Sequence, residues 1–204
     1  MTISIGVLVF EGVEELDFVG PWEVFTMANE VSKHLGQGPV HDVKLIAEHD
    51  RLVVCAKGLR VLPDLTTARC TKLDVLLVPG GQGTRREVNN LALLDWIATI
   101  ARTAKWVTGV CTGALLLTAA GPGKGKWVTT HWAFVDTLRG RGEAAEVLDK
   151  YRYVRDGNMV TAAGVSAGID MALWLTGQMH SPDFARSVQR GMEYDPAPPY
   201  AGLT

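Results

Sequence analysis

The amino-acid sequence predicts an α/β protein, built on a mostly parallel sheet with helices on both faces. Segments with the pattern of strands alternate with helical segments along most of the chain, as in strand–helix–strand units. Several strand segments are nearly continuous in apolar and β-branched residues, which is typical of parallel strands buried on both faces. The length of 204 residues, with 47% hydrophobic and 21% charged residues, suits a single globular domain over residues 1–204.

The first third of the chain predicts a buried strand, a helix and two further strand regions. Residues 3–10 are nearly all apolar or β-branched, and they predict the first buried strand. A Gly-Pro pair then precedes a helix predicted over residues 22–35, because proline is favoured in the first turn of a helix. Residues 41–48 alternate apolar and polar side chains as a strand does, and residues 51–63 predict one or two short strands.

The middle of the chain predicts two buried strands, each followed by a helix. Residues 73–78 form the first of these strands, which a Pro-Gly-Gly segment stops. Residues 89–102 carry apolar side chains at helical spacing. Residues 105–110 predict a short strand, and residues 112–120 predict a helix of small residues that ends at a Gly-Pro-Gly segment.

The last third predicts a hairpin between helices. Residues 132–140 are predicted to be helical, and residues 151–163 predict a hairpin, because an Asp-Gly pair at its centre supplies the backbone of a tight turn. Residues 166–179 and 182–194 predict two closing helices, and residues 195–204 have no regular pattern.

The charge balance and the cysteines exclude several classes of protein. Lys and Arg number 20 against 22 Asp and Glu, a net charge of −2, so we expect neither a nucleic-acid nor a membrane partner. No apolar run approaches the roughly 20 residues of a membrane span, and the apolar N-terminus lacks the basic leader of a signal peptide. Cys55, Cys70 and Cys111 are widely spaced, which predicts free thiols, a cytoplasmic location and no metal site.

The most informative candidate for chemistry is Cys111, at the corner between a predicted strand and a predicted helix. Gly109 and Gly113 lie two residues to either side, and they remove the Cβ clashes that a sharp turn would create. A helix N-terminus favours a thiolate, so we expect an activated, exposed thiol of low pKa. Most free cysteines are instead small buried residues without chemistry, and that is our interpretation of Cys55 and Cys70.

Further candidates follow the other strands, at the sheet edge where ligands bind in such folds. Asp17 lies between apolar neighbours in the first strand-to-helix connection. It is either a catalytic acid, a helix cap or a solvated loop acid. The N–H groups of Gly80, Gly81 and Thr112 could form an anion pocket, although a glycine pair is often only a turn. His131 is a candidate that the sequence cannot place against Cys111. The acidic pair before Asp17, residues 14–15, is expected to be solvated.

Taken together, these residues resemble the ThiJ/PfpI superfamily, which has the fold of class I glutamine amidotransferases. The resemblance covers the chain from Asp17 through Pro79-Gly80-Gly81, Cys111 and Thr129-Thr130-His131-Trp132 to the segments over residues 163–170 and 193–199. It implies a flavodoxin-like sandwich with a cysteine nucleophile elbow, and a homodimer with the first helix near the interface.

The residue after the nucleophile indicates the branch of the superfamily. Members that resemble the PfpI peptidase or the glutathione-independent glyoxalases usually have histidine there, whereas this chain has Thr112. A Cys-Thr-Gly elbow with a first-loop Asp is similar to the isocyanide hydratases, and also to the sensor domains of certain AraC-like regulators. Such regulators carry a C-terminal helix-turn-helix module, for which the chain leaves no room after the predicted domain.

The resemblance implies hydration of a small-molecule isocyanide to an N-substituted formamide. Cys111 would attack the isocyanide carbon, and Asp17 would act as general acid and then as general base. Thr112 would orient Asp17 or the water, while Gly80, Gly81 and His131 would line the substrate pocket. No metal or organic cofactor is needed. Another cysteine-dependent reaction, of hydrolase or glyoxalase type, and a non-catalytic redox or ligand sensor stay open as alternatives.

Overall fold

A seven-stranded sheet forms the centre of the molecule in the computed structural model, which describes residues 2–196. The strands lie in the order β10-β11-β7-β6-β1-β2-β5, and two separate strand pairs, β3-β4 and β8-β9, lie outside this sheet. The strands are β1 (Ile3–Leu8), β2 (His41–Ala47), β3 (Val53–Val54), β4 (Arg60–Val61), β5 (Leu65–Thr66), β6 (Val75–Val78), β7 (Trp106–Val110), β8 (Trp127–Val128), β9 (Glu146–Val147), β10 (Tyr153–Asp156) and β11 (Met159–Ala162).

Most of the sheet is parallel, as the sequence predicted. The pairs from β11 through β5 are all parallel, and only the edge strand β10 runs antiparallel, to β11. All four residues of β6 and of β11 are buried, as expected for strands covered on both faces. The parallel order brings the carboxyl ends of β1, β6 and β7 to one edge of the sheet.

Helices cover both faces of the sheet. They are α1 (Glu15–His34), α2 (Thr84–Glu87), α3 (Leu91–Ala101), α4 (Gly113–Ala120), α5 (Val135–Gly140), α6 (Ala167–Met179) and α7 (Pro182–Gly191), with a 3₁₀ turn at Trp132–Phe134. Helices α1, α6 and α7 pack together, and α3 packs with α4. The chain steps from β1 to β2 in one direction and from β6 to β7 in the other, so right-handed crossovers place α1 and α3 on opposite faces.

The start of α1 differs from the prediction at residue 22. The helix begins at Glu15, and Pro21 is its seventh residue. Proline removes one helical N–H and crowds the residue before it, but that residue is Gly20, which has no Cβ to clash. A Cβ on Gly20 would also lie 2.8 Å from Cγ1 of Ile169, so the small residue lets α1 approach α6 closely. The helix therefore passes through the proline, and its first turn contains Asp17.

The remaining elements agree with the sequence within a few residues, apart from the shortest ones. The hairpin is confirmed as the antiparallel pair β10-β11, whose turn contains Gly157 at a φ of 63°. Four short elements were not predicted, because two to four residues leave no periodic signal: α2, β5, β8 and β9. Of the tail segment over residues 193–199, positions 197–199 lie outside the described residues.

Candidate active site

Cys111 occupies a sharp turn between β7 and α4, as the elbow pattern predicted. Its φ of 55° lies in the left-handed region, which non-glycine residues rarely adopt. Its N–H donates to the carbonyl oxygen of Ala162 at 2.9 Å, which ties the turn to β11. A Cβ on Gly113 would lie 2.0 Å from the carbonyl oxygen of Val78, so only glycine fits this position. The turn thus depends on contacts with both neighbouring strands.

Asp17 lies in the first turn of α1 and is fully buried beside this elbow. Its Oδ2 atom accepts a hydrogen bond from Gly80 N at 2.9 Å. Among residues 2–196, no nitrogen or oxygen atom hydrogen-bonds its buried Oδ1 atom. Burial raises the pKa of Asp17 to about 7, while hydrogen bonds from Gly80 and the Cys111 thiol oppose the increase. The carboxyl group can therefore gain or lose a proton near neutral pH.

The thiol of Cys111 is buried rather than exposed, and the expectation of a low pKa is wrong. Burial raises its pKa to about 12, and the negative charge of Asp17 adds to the increase. The N–H and hydroxyl groups of Thr112 act in the opposite direction and lower it. The local effect of the helix N-terminus is thus outweighed by loss of water around the sulfur. The raised pKa keeps the proton on the sulfur near neutral pH, beside a carboxyl group whose own pKa is about 7.

The loop after β6 positions Asp17 and Thr112 through consecutive N–H groups. Gly80 N binds Asp17, and Gly81 N donates to Thr112 Oγ1 at 3.1 Å. Both N–H groups are thus already hydrogen-bonded within the protein, and an anion in this pocket would compete with Asp17 and Thr112 for them. A Cβ on Gly80 would lie 2.5 Å from Thr112 N and 2.9 Å from Asp17 Oδ2. The glycines therefore allow three segments to meet closely.

His131 lies near the elbow, but its ring is used locally. Thr130 Oγ1 donates to the carbonyl oxygen of Cys111 at 2.7 Å, which anchors the segment that carries His131. The Nδ1 atom of His131 accepts from Ala133 N at 3.2 Å, within the 3₁₀ turn. The ring also packs against Trp132, with ring centroids 5.5 Å apart. His131 thus caps a turn on the wall of the neighbouring cavity.

A cavity of about 630 Å³ lies next to the residues that contact Cys111. Its wall includes Thr130 and Gly164, the two residues that contact Cys111 from this side. A Cβ on Gly164 would lie 3.3 Å from the sulfur, and the φ of this residue is 130°. The lining also includes the exposed aromatic side chains of Trp132 and Tyr151. The cavity can therefore hold an organic substituent beside the thiol.

The acidic residues before Asp17 form a partly buried cluster, contrary to the expectation that they are solvated. The side chains of Glu14 and Glu15 are only 14% and 18% exposed. Lys57, from the turn between β3 and β4, forms an ion pair with Glu14, and its backbone N–H donates to Glu15 Oε1 at 2.6 Å. The charge of Glu14 raises the pKa of Asp17, and that of Lys57 lowers it.

Sequence reasoning missed Thr84 and Arg85, which follow the glycine loop. Thr84 Oγ1 lies 3.1 Å from Thr112 Oγ1, and Arg85 Nη1 donates to Gly81 O at 2.8 Å. The guanidinium of Arg85 also covers the ring of Phe134, 4.4 Å from its centroid, which links the loop to the cavity wall. No periodic pattern marks these two residues, because they belong to a four-residue helix.

Residues 2–196 contain neither a metal-binding cluster nor a membrane-spanning helix. No three His, Cys, Asp or Glu side chains in this part of the chain are grouped so that they could hold a metal ion. Nor does any helix there combine the length and apolar character that crossing a membrane requires. All three cysteines are free and buried.

Comparison with known proteins identifies the family. The model of the DJ-1/PfpI family matches residues 3–178. The chain belongs to the DJ-1/PfpI family. Isonitrile hydratase of Pseudomonas putida is 41% identical over 200 residues, which cover 98% of this chain and 82% of that protein. A crystal structure of a ThiJ/PfpI family protein from Pseudomonas syringae has a TM-score of 0.87 at 33% identity and covers 98% of this chain and 78% of that one.

The family also contains proteins that are not named as enzymes. The HTH-type transcriptional regulator CdhR of Pseudomonas aeruginosa is 28% identical over 181 residues, which cover 89% of this chain but 52% of the regulator. The DJ-1/PfpI fold and the similarity to isonitrile hydratase confirm the resemblance and the fold class that the sequence predicted.

Proposed function

We propose that this chain hydrates an isocyanide to an N-substituted formamide, with Cys111 as nucleophile and Asp17 as general acid and base. The observation that carries the proposal is that Asp17 and Cys111 are both buried at one elbow, where the Gly80–Gly81 loop holds Asp17 and Thr112. Burial raises the pKa of both groups, which favours a shared proton between them. The 41% identity to isonitrile hydratase over nearly the whole chain supports the reaction class.

The addition step uses the one proton that the pair holds. The terminal carbon of an isocyanide carries a lone pair, and it becomes electrophilic only as it is protonated. Asp17 takes the proton from the Cys111 thiol and delivers it to that carbon as the sulfur–carbon bond forms. The product is a thioimidate, R–N=CH–S–Cys111, in which the former thiol hydrogen is bound to carbon. No charge remains on the intermediate, which suits a site from which water is excluded.

The hydrolysis step returns both groups to their starting state. Water adds to the thioimidate carbon while the Asp17 carboxylate takes one of its protons and passes it to the nitrogen. The carbon–sulfur bond of the resulting adduct then breaks, and the sulfur leaves with the electron pair. The remaining hydroxyl proton moves through Asp17 to the sulfur, and the formamide R–NH–CHO is released. One isocyanide and one water are consumed, and the thiol is regenerated.

The cavity beside Gly164 is the proposed site of the substrate's R group. Its aromatic wall, formed by Trp132 and Tyr151, favours a flat apolar substituent, and the reacting carbon would reach the sulfur past Gly164. In this arrangement His131 lines the substrate cavity and takes no proton.

Turnover of an aryl isocyanide, followed through the absorbance of the formamide, tests the proposal. We expect multiple turnovers with the purified chain and none with Cys111→Ala. A chain that binds the isocyanide without releasing formamide would instead favour a ligand sensor, in line with the similarity to CdhR. Release of acid from a 2-oxoaldehyde without action on isocyanides would favour a glyoxalase-type reaction.

We further propose a homodimer in the cytoplasm. Apolar side chains at the start of α1 and around β3 and β4 are exposed, and a second copy could cover them: Leu16, Val19, Leu52, Val54, Leu59 and Leu62. The free cysteines are in keeping with a reducing compartment. Light scattering of the purified chain tests the dimer, and Leu62→Glu should weaken it if this face is the interface.

A further inference from the structure

A row of four side chains connects the glycine loop after β6 with the aromatic side of the cavity. Arg85 Nη1 donates to the carbonyl oxygen of Gly81 at 2.8 Å, and Arg85 Cζ lies 4.4 Å from the centroid of the Phe134 ring. The centroid of the His131 ring lies 6.3 Å from that of Phe134 and 5.5 Å from that of Trp132. Because Trp132 lines the cavity, the row runs from the glycine loop to the cavity itself.

The 3₁₀ turn that carries Trp132 is not fixed by burial. None of its three residues, Trp132–Phe134, is buried, and Trp132 is 81% exposed. Two hydrogen bonds hold the turn locally: Ala133 N donates to His131 Nδ1 at 3.2 Å, and Phe134 N donates to His131 O at 2.8 Å. A contact from another element therefore matters for where these side chains lie.

Arg85 supplies such a contact with an uncompensated charge. Its neighbour Arg86 forms an ion pair with Glu87, whereas no ion pair within the described part of the chain includes Arg85. A guanidinium without a carboxylate partner keeps its attraction to the face of an aromatic ring. Its hydrogen bond to Gly81 O fixes the other end of the contact, because Gly81 N itself donates to Thr112 Oγ1 at 3.1 Å.

We propose that Arg85 is a positioning residue that holds the Trp132 side of the cavity at a fixed distance from Cys111. Without its guanidinium the loop keeps its shape, because Gly81 O still accepts from the Thr84 hydroxyl at 2.8 Å. The turn, in contrast, loses its tie to that loop, and an aromatic substituent of the substrate meets a less ordered wall. The inference rests on the proposed function, because it assumes that such a substituent occupies this cavity.

Steady-state kinetics with two substrates test the proposal. Arg85→Met should raise KM for phenyl isocyanide about two- to fivefold, the range that an exposed cation–π contact accounts for, and should leave kcat within about twofold. KM for methyl isocyanide, which has no group to reach the wall, should not change. Phe134→Leu should act like Arg85→Met, whereas Phe134→Tyr keeps the ring face and should keep the original KM. A general loss of structure would lower kcat for both substrates.

Hydrogen exchange tests the same contact without any substrate. The N–H groups of Ala133 and Phe134 should exchange about two- to fivefold faster in Arg85→Met, because the turn opens more often. The measurement is mass spectrometry of the peptide over residues 131–138. Exchange in β6 and β7 should be unchanged, since the loop and the elbow keep their own hydrogen bonds.

Arg155→Met is the matched control. Arg155 also donates to a glycine carbonyl, Gly157 O at 2.9 Å, and its Cζ atom lies 5.3 Å from the centroid of the Trp106 ring. The control variant thus loses the same pair of contacts in another part of the fold. It should change neither KM for phenyl isocyanide nor the exchange of the turn.

Two results would overturn the proposal. One is unchanged exchange of the turn in Arg85→Met, and the other is a KM for phenyl isocyanide that does not rise, or that rises equally for methyl isocyanide. If isocyanide turnover is absent but the turn exchanges faster, the tie between loop and turn stands and the hydratase function fails. If turnover is present and neither exchange nor KM changes, the hydratase function stands and Arg85 has no part in it.

Discussion

Asp17 and Thr112 are held on either side of one loop by consecutive backbone N–H groups. Gly80 N donates to Asp17 Oδ2 at 2.9 Å, and Gly81 N donates to Thr112 Oγ1 at 3.1 Å. One residue comes from the first turn of α1 and the other from the N-terminus of α4. The loop after β6 therefore fixes the acid and the hydroxyl relative to Cys111, and a change in this loop should alter both together.

Replacement of Cys111 is expected to abolish formamide release. Cys111→Ala removes the nucleophile, and it keeps a β-carbon in a backbone conformation that cysteine already tolerates at a φ of 55°. Activity should fall to background while thermal unfolding stays close to that of the unchanged chain. Cys55→Ala and Cys70→Ala are the controls and should keep activity, since the proposed mechanism uses neither of these buried thiols. Turnover by the Cys111 variant would exclude a covalent mechanism.

Asp17→Asn should lower turnover about 10²- to 10⁴-fold, the usual contribution of a positioned acid or base. An amide oxygen can still accept from Gly80 N, so the fold should persist, but an amide cannot carry the proton. Asp64→Asn is the control, because Asp64 also accepts a backbone N–H, from Leu45 at 2.8 Å, on the exposed surface. An Asp17 variant within about threefold of the unchanged chain would remove Asp17 from the mechanism.

The rate should rise with pH through about 7. The reaction needs the Asp17–Cys111 pair with one proton, and this state forms when Asp17 loses its proton, at a pKa of about 7. It persists in alkali, because burial raises the pKa of Cys111 to about 12. A profile of kcat/KM against pH should therefore rise between pH 6 and 8 and stay flat to pH 9. A decrease in kcat/KM between pH 6 and 8 would contradict the proposal that the active form has an ionised Asp17 and a protonated Cys111.

Two neighbouring charges should move this profile in opposite directions. Glu14 raises the pKa of Asp17, so Glu14→Gln should shift the rising limb to lower pH. Lys57 lowers that pKa, so Lys57→Met should shift the limb to higher pH. Because neither residue touches the thiol in the proposed mechanism, the maximal rate should change little. Shifts in the same direction would show that the rising limb does not belong to Asp17.

The elbow could be predicted because its signal is local. Gly109 and Gly113 flank Cys111 within five residues, at a junction where the apolar pattern changes from strand to helix. The meeting of Asp17 with this elbow depends on residues separated by more than 60 positions, so only the resemblance to a family could indicate it. The prediction of a low pKa for the Cys111 thiol was wrong for the same reason. A helix N-terminus, which lowers the pKa, is a local feature of the sequence, whereas the burial that raises it depends on the whole fold.

The environment of the acidic pair shows the same limit. Glu14 and Glu15 look solvated in a polar segment, but Lys57, more than 40 residues away in the sequence, lies against them in the turn between β3 and β4.

The start of α1 was predicted from Pro21, because proline is favoured in the first turn of a helix. This rule did not allow for a preceding glycine, which tolerates proline inside the helix.

Acid should destabilise the fold through His41, the first residue of β2, at the amino end of the strand. Burial, with a smaller effect of His180, whose Nε2 atom is 2.9 Å from His41 Nε2, lowers the pKa of His41 from 6.5 to about 4. The hydrogen bond between its Nδ1 atom and Phe25 O, at 3.0 Å, opposes this decrease. The folded state resists protonation that the unfolded state accepts, so this stability is present above pH 6.5 and is lost as pH falls toward 4. The slope is about 1.4 kcal/mol per pH unit.

A variant at His41 can isolate this contribution. His41→Phe keeps the aromatic contact with Phe25, whose ring centroid is 5.7 Å away, and removes the titration. Urea unfolding between pH 4 and 7 should then show a flatter dependence than in the unchanged chain. His34→Gln is the control, since His34 is exposed. An equally steep loss in the His41 variant would assign the acid sensitivity to other groups.

Gly113→Ala should destabilise the protein and disable the site, because the elbow leaves no room for a methyl group. The added Cβ would lie 2.0 Å from Val78 O and 3.0 Å from the carbonyl carbon of Pro79, and backbone atoms in a sheet cannot move aside as a side chain can. We expect a loss of about 3 kcal/mol in the free energy of unfolding, measured in urea, at the upper end of the usual cost of overpacking. Gly140→Ala is the matched control at the end of α5. No atom lies within 4 Å of the Cβ that this change adds, so it should change the free energy of unfolding by less than about 1 kcal/mol.

Activity in the Gly113 variant should fall even at temperatures where it stays folded, because displacement of β6 from α4 also moves Gly80 away from Asp17. A stable and fully active Gly113→Ala variant would show that the close contact between the elbow and β6 is not needed for either property.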